Sequence, residues 1–400
     1  MQLTITNLYG HYNYEINLMP GGITILTGPN GFGKSTILRC IEAFGNSDIN
    51  FFAELPFDNI KYTSDTGESI NLTKQGNVLT INEHNYEFRE VITKNRLRNS
   101  LRETKIKVSP LFDNKDVIDQ ELQSMAQAAG TIKLIREQRL FKEIKGYRNI
   151  EGTFRPEVRY ENMVDYVSHL LSIKMMRIAN QYSEVSTRLD SSFPHRLLKD
   201  NSEKPLTEAD FSLLYHEMKK KLSVLAENGI LKLEDYGDLI FKPEDAKVLK
   251  IFFKDFDEKY AVYASFVERF ILFKGIIERR FKFKKVRLSE TRELIIYDDM
   301  TMKEIPLKSL SSGEQEIIIL FYELIFNTKE ETLILIDEPE ISLHVAWQLM
   351  FIEDLKRIVK LNQLRTLIAT HSPEIINGNS DMQIDLGELY QNGFNQDCNK

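Results

Sequence analysis

The stretch Gly28-Pro29-Asn30-Gly31-Phe32-Gly33-Lys34-Ser35-Thr36 decides how the rest of the chain is read. It follows the apolar run Ile23 to Leu26 and precedes the helically periodic segment Ile37 to Phe44, so it reads as strand, loop, helix. Gly28, Gly31 and Gly33 give access to backbone conformations closed to residues with a side chain, which lets successive N–H groups turn toward a pyrophosphate. The helix start adds the positive end of its dipole. Lys34 supplies a point charge for the β- and γ-phosphates, and the Ser35 hydroxyl is placed to hold Mg2+. The pattern implies a site for a nucleoside triphosphate.

Upstream, residues 2–7 and 13–18 alternate apolar and polar, with Tyr9-Gly10-His11 as a hairpin turn between them. Tyr9, His11 and Tyr12 could stack on or hydrogen-bond a base, or serve as ordinary sheet packing. Downstream, β-type runs between Phe51 and Phe88 are broken by Asp65-Thr66-Gly67, Gln75-Gly76-Asn77 and Asn82-Glu83-His84-Asn85, which predicts a small antiparallel sheet of hairpins grafted after the first helix. Residues 89–130 read as mostly helical and polar, with a break at Ser109-Pro110. Ile132 to Leu140 reads as a strand that ends in Gln138 and Arg139.

The region from about 141 to 285 reads as chiefly helical. Val164, Val167, Leu171, Ile178, Tyr182, Val185 and Leu189 recur at helical spacing. So do Leu249, Phe252, Phe256, Tyr260, Tyr263, Val267, Phe270, Phe273 and Ile277. Two long helices packed antiparallel as an arm or lid are expected, with a shorter helix Phe211 to Leu225 beside them and Thr207 as its cap. Strand character returns at Lys285 to Leu288 and Leu294 to Tyr297.

Three later segments bear on the nucleotide. Leu310-Ser311-Ser312-Gly313-Glu314-Gln315 opens the apolar helix Ile317 to Phe326, and a helix start with small residues is an anion site with Ser311 and the Gly313 amide as donors. An ordinary serine-capped helix has the same sequence. Thr332 to Ile336 is a continuous apolar run of strand length, which suggests a buried parallel strand and delivers Asp337-Glu338 at its carboxyl end, where ligands of such sheets bind. Asp337 can reach the Mg2+ shell and Glu338 can orient and deprotonate an attacking water. Leu364 to Thr370 is a further short strand, followed by His371-Ser372-Pro373; a histidine there can donate to a γ-phosphate or to the water.

With 400 residues, 42% of them hydrophobic and 28% charged, the chain has the composition of a globular protein of two or three domains, or of one large core with an insertion. Its net charge of −7 argues against coating nucleic acid through bulk charge. The two cysteines, Cys40 and Cys398, make neither a disulfide framework nor a metal cluster, in keeping with a reducing compartment. No apolar run approaches the ~20 residues that span a bilayer, and Met1 to Ile5 enter a strand without a signal peptide, so a cytoplasmic protein is expected.

The glycine-rich loop, the glutamine-ended strand, a long insertion, LSSGEQ, LILIDEPE, SLH and ATHSP, in that order, resemble the ATP-binding-cassette ATPases of the SMC, RecF and OLD type. The last segments are most similar to the stand-alone ATPases of bacterial antiphage systems such as OLD-family proteins, Septu and PARIS. LYGHYNYEINL and IREQRL resemble the PARIS kind. The resemblance covers about residues 1–140 and 285–380. It implies an α/β, ABC-type P-loop fold with an antiparallel β-subdomain and a long helical insertion. The expected domains are residues 1–140 and 286–400 as the two parts of the ATPase, with 141–285 as the arm.

The same resemblance implies that Asn30, Gly31, Gly33, Lys34, Ser35 and Thr36 hold ATP, and that Ser35, Gln138 and Asp337 hold Mg2+. It makes Glu338 the catalytic base, His371 the switch histidine, Gln138 the sensor of metal and water, and Ser311 and Gly313 the signature residues. Ser342-Leu343-His344 would be the loop that crosses to a partner subunit. Ser312 stands in place of the first signature glycine and Val345 in place of a frequent proline, and neither change removes a catalytic group. In such proteins the signature of one subunit closes over the phosphate loop of another, so a homodimer or higher homo-oligomer with shared ATP sites is implied. The function implied is ATP-dependent gating of a separately encoded effector, a TOPRIM-like or other nuclease. OLD-type proteins carry the nuclease after the ATPase; the residues after Asn379 show no second acidic cluster, so a nuclease is expected on another polypeptide.

The alternatives are a DNA-repair or chromosome-maintenance ATPase of the RecF or SMC type acting directly on DNA, and a transporter subunit. The long stretch between Gln138 and Leu310 disfavours the transporter. One segment is a candidate for nucleic acid, Arg279-Arg280-Phe281-Lys282-Phe283-Lys284-Lys285-Val286-Arg287, with cations and aromatics interleaved. It also reads as a helix running into a strand, with Phe281 and Phe283 inside and the cations in water.

Overall fold

A computed structural model describes residues 1–93, 103–110, 123–136, 140–150, 153–199, 205–232, 238–289 and 291–390. The chain divides into two compact units, Met1–Glu137 with Thr328–Lys400, and Gln138–Asn327. The fold is α/β, with one parallel sheet, antiparallel sheets and a long helical insertion.

The first unit holds the parallel sheet, in the order Gln383–Asp385, Ile23–Thr27, Arg365–Ala369, Leu333–Asp337, Ile132–Ile135. All five residues of Ile23–Thr27 are buried, as are Leu333 to Ile336 and Thr366 to Ala369, which is why these strands read as unbroken apolar runs and not as alternating ones. Helix Lys34–Asn46 packs across the sheet through Ile37, Leu38, Ile41 and Phe44. Gly45 lies in its last turn because a Cβ there would stand 3.0 Å from Ile132 Cβ, so the close approach of helix to strand requires glycine.

The hairpins after the first helix are not a separate graft. Strands Tyr12–Asn17, Gln2–Leu8, Asn59–Thr63, Ser69–Gln75, Val78–Ile81, His84–Thr93 and Glu103–Pro110 form one antiparallel sheet in that order. The pairing of Gln2 with Thr63 joins the amino-terminal hairpin to the later ones, a long-range contact that local periodicity does not carry. The expected helix over residues 89–130 is corrected in part: His84–Thr93 and Glu103–Pro110 pair as strands, and a helix occupies 123–129. Charged residues fall at every second position of Glu103-Thr104-Lys105-Ile106-Lys107-Val108, the period of a strand and not of a helix.

The second unit departs from the expected helices at its start. Phe141–Ile150 pairs antiparallel with Thr153–Asn162, ten residues on each side, before the first arm helix begins. That helix, Met163–Lys199, and Ala246–Arg280 run antiparallel, as shown by three contacts that progress in opposite directions: Tyr182 on Tyr263 (5.2 Å), Asp190 with Lys259 (2.9 Å) and Arg196 with Asp255. Thr207 caps helix Glu208–Glu227 as expected, in a reciprocal capping box with Asp210. Gly229 follows that helix with φ +70°, and a Cβ there would sit 2.1 Å from the Leu288 carbonyl oxygen, so no other residue fits.

Strands Lys284–Leu288, Leu294–Asp298 and Glu304–Ile305 complete this unit with helix Ser312–Ile325. The helix packs on Ala246–Arg280 through an aromatic cluster in which Phe326 meets Phe266 (5.6 Å), Phe273 (5.7 Å) and Tyr322 (5.7 Å). Among the described residues, no helix is long and apolar enough to cross a membrane.

Candidate nucleotide site

Register in the parallel sheet assembles the site. Asp337 pairs with Ala369, and Ala369 with Leu26, so the ends of three neighbouring strands release the Gly28 loop, Asp337-Glu338 and His371 at one edge. The loop is built from left-handed glycines: Gly31 has φ +86° and Gly33 has φ +82° as the cap of helix Lys34–Asn46. Asn30 and Gly31 lie at the surface. Gly31 has nothing within 4 Å of a Cβ position, whereas at Gly33 a Cβ would meet Leu8 Cδ2 at 3.2 Å.

The Lys34 side chain is almost fully enclosed. Its ammonium donates to the Gly28 carbonyl (3.0 Å) and the Pro29 carbonyl (3.4 Å) and meets the His371 imidazole. Burial pulls the Lys34 pKa below its ordinary value, while Glu338, Glu340, Asp337 and Asp385 act in the opposite direction. The charges of four carboxylates thus favour the ammonium that burial disfavours.

Ser35 donates its hydroxyl to Asp337 Oδ1 at 3.0 Å. A hydroxyl and a carboxylate oxygen, both hard donors, beside a phosphate-cradling loop fit Mg2+, with the remaining ligands supplied by phosphate and water. Among the described residues no group of three or more His, Cys, Asp or Glu could hold a metal unaided. Gln138, the third expected metal and water ligand, lies outside the described residues.

Glu338 has φ +43° and ψ +59°, a left-handed conformation that costs a residue with a side chain ~1–3 kcal/mol. Pro339 follows, so the strain falls on a pre-proline position that already disfavours helical backbone. The Glu338 amide donates to the Ala369 carbonyl at 2.9 Å, which holds the turn on the neighbouring strand. Its carboxylate is 3.7 Å from His371 Nε2, so the expected base and the expected switch histidine are neighbours.

Of the candidates for the base, Tyr9 shares a hydrogen bond with the Thr36 hydroxyl (2.9 Å), and Tyr12 packs on Tyr14 (5.7 Å), Phe32 (5.3 Å) and Tyr390 (5.4 Å). Tyr14 donates to the Phe32 carbonyl at 2.8 Å, so this aromatic ledge braces the phosphate loop from outside.

In the other unit, Ser311 caps helix Ser312–Ile325. Its hydroxyl accepts from the Glu314 amide (3.4 Å) and donates to Glu314 Oε2 (3.0 Å), which also accepts from the Ser311 amide (3.0 Å). Burial works against the charge of Glu314, but the Lys284 ammonium and the Ser311 donors outweigh it and hold the carboxyl below its usual range. The Ser311 hydroxyl is therefore committed to the cap, as in an ordinary serine-capped helix, and the helix-start amides of Ser312 and Gly313 are left as the anion donors. Leu310 is buried while Ser311 and Ser312 are exposed, so the polar edge of this turn faces solvent.

The basic run reads closer to its structural alternative. Phe281 is buried, and Arg280 is enclosed with its guanidinium over Phe321 (5.0 Å). Lys284 pairs with Glu314, Lys285 with Glu278 (3.5 Å), and Arg287 covers Tyr297 (5.2 Å). Phe283 departs from that alternative, which placed it inside: it is 67% exposed, with φ +58°.

Sequence reasoning missed Glu340, Asp385 and the Ser372–Gln348 contact. Glu340 accepts the His371 amide (2.7 Å), Asp385 accepts the Gly387 amide (2.7 Å) beside the loop, and Ser372 donates to Gln348 (2.6 Å). Glu340 was in plain sight in Asp337-Glu338-Pro339-Glu340. Asp385 ends a three-residue edge strand too short to show a period.

The profile of the AAA ATPase domain family matches residues 1–376. No curated protein matches the chain. Among solved structures the chain is similar to the Smc head domain with an extended coiled coil bound to the C-terminal domain of ScpA from Pyrococcus furiosus. That match has 15% identity, covers 94% of this chain and 90% of that one, and has a TM-score of 0.38. It is similar to an SmcHead bound to the C-winged helix domain of ScpA at 12% identity, covering 96% and 92%, with a TM-score of 0.41. The SMC head domain from Thermotoga maritima matches at 12% identity, covering 94% and 90%, with a TM-score of 0.34.

Proposed function

Since the chain belongs to the AAA ATPase domain family and is an ATPase, we propose that it works as the ATP-driven subunit of a bacterial antiphage complex, gating a separately encoded nuclease through ATP-dependent association of its own copies. The observation that carries the mechanism is the single sheet edge at which Lys34, Ser35 with Asp337, and Glu338 with His371 converge, together with a helix start at Ser311 whose polar edge is exposed. The defence role rests on the order and wording of the motifs.

The residues divide the work as follows. The Gly28–Gly33 amides and Lys34 bind and neutralise the triphosphate. Ser35 and Asp337 hold Mg2+, which when bound screens charge on the transferring phosphoryl group. Glu338 orients the attacking water and takes its proton, and His371 hydrogen-bonds the phosphate or that water. The Ser312 and Gly313 amides of a second copy close the site from the far side, so hydrolysis is coupled to association.

Mixing subunits tests the shared site. Lys34→Ala and Ser311→Arg chains are each expected to be inactive alone, one for lack of the phosphate loop and the other for a blocked helix start. Together they form one intact site per dimer and regain a measurable fraction of wild-type turnover. Absence of any recovery, with both variants folded and mixed in excess, removes the shared site. For the defence role, phage plating on cells that carry the chain with its neighbouring gene should show fewer plaques than on cells carrying either gene alone. Equal plating in all three strains removes it.

A further inference from the structure

We infer that Glu340 is a positioning residue that locks the His371 loop to the Glu338 turn, so that base and histidine keep their separation as one body. The inference rests on the roles proposed above for Glu338 and His371 and adds a residue to which neither composition nor motif assigned a task.

The geometry begins with what the sheet leaves undone. The ladder between the two strands ends at Asp337 paired with Ala369, and Glu338 still donates to the Ala369 carbonyl. The next amide, Thr370, still donates to the Leu26 carbonyl (3.1 Å), but the one after it leaves the strands. The His371 amide goes instead to Glu340 Oε1 at 2.7 Å, a short, charge-assisted bond. Glu340 lies two residues after Glu338 on the same turn, with buried Pro339 between them. A displacement of the Glu338 backbone therefore carries the anchor of His371 with it. The His371 ring, held at the Lys34 ammonium, stays 3.7 Å from the Glu338 carboxylate.

A second latch supports the first. Gln348 donates to the Leu343 carbonyl (2.8 Å) and the Glu340 carbonyl (3.4 Å), and its own oxygen accepts from Ser372 (2.6 Å). This latch holds the residue after the histidine, whereas Glu340 takes the backbone amide of His371 itself. The other Glu340 oxygen, Oε2, is shielded from water and has no hydrogen-bond partner among the described residues. Such a placement costs free energy unless a nearby cation offsets it, and the Lys34 charge does so. With Oε2 unbonded, the hydrogen bond that fixes the Glu340 side chain among the described residues is the one it accepts from the His371 amide.

The test is a cycle of variants in steady-state turnover, with ATP affinity measured in parallel. Glu340→Ala removes the acceptor and is expected to lower kcat roughly 10- to 100-fold, with ATP affinity and the thermal midpoint near wild type. Glu340→Gln keeps a side-chain carbonyl at the same reach and is expected to restore kcat to within about threefold. Glu340→Asp keeps the charge but withdraws it by one methylene, and should behave like alanine. In a His371→Ala background, Glu340→Ala should cost nothing further, because its effect passes through the histidine. Wild-type kcat in Glu340→Ala, or losses that multiply in the double variant, would overturn the inference. Full turnover in His371→Ala alone would instead overturn the role of the histidine.

Discussion

ATP binding is expected to be lost when Lys34 is replaced by alanine, with affinity falling at least ~100-fold. A charge-assisted hydrogen bond is worth about 1.5–3 kcal/mol, and Lys34 makes more than one toward a triphosphate. The loss is larger here than at an exposed lysine for two reasons. The side chain is 5% exposed, so its charge acts on a bound phosphate with little screening by solvent. It also carries charge opposite to Asp337, Glu338, Glu340 and Asp385, and without it their negative charge opposes a polyanion with less compensation. Equilibrium binding of a fluorescent ATP analogue, alongside a thermal melt to confirm the fold, measures the effect. A folded variant with wild-type affinity would refute the reading of the glycine-rich loop.

The second large effect is kinetic. Glu338→Gln should bind ATP as wild type does and hydrolyse it about 10²- to 10⁴-fold more slowly, the range for loss of a general base. Glutamine has the same shape and leaves the hydrogen bond from the backbone N–H of residue 338 to the Ala369 carbonyl intact, so the strained turn survives. Phosphate contacts stay while water activation goes, and the associated form should accumulate. Size-exclusion chromatography in ATP reports the assembly, and single-turnover hydrolysis reports the chemistry. Turnover equal to wild type would remove Glu338 from the role.

These expectations differ in how directly the residues announced them. Gly28 to Thr36 needed no tertiary information, because a phosphate loop is a local structure whose glycines and lysine act within one turn of chain. Thr332 to Ile336 and Leu364 to Thr370 were equally legible, since a strand covered on both faces is near-continuously apolar, as Leu333 to Ile336 and Leu367 to Ala369 are. The hairpin Phe141–Ile150 with Thr153–Asn162 was hidden because its charged and apolar residues mix without a clear period, and the helical pattern beyond it set the expectation. The fate of Arg279 to Arg287 was hidden for another reason. A run of cations looks the same whether it faces a phosphate backbone or its own acidic and aromatic neighbours, and Glu278, Glu314, Phe321 and Tyr297 are those neighbours.

Local patterning alone thus determined which segments are phosphate loop, buried strand and capped helix, and the resemblance carried by their order supplied the chemistry each could perform. Only the tertiary structure decided which groups share a site, because pairing register is a relation between strands far apart in the chain. Leu26, Ala369 and Asp337 come into line through hydrogen bonds that no single segment encodes. That alignment brings Glu338 beside His371 and hands the His371 amide to Glu340.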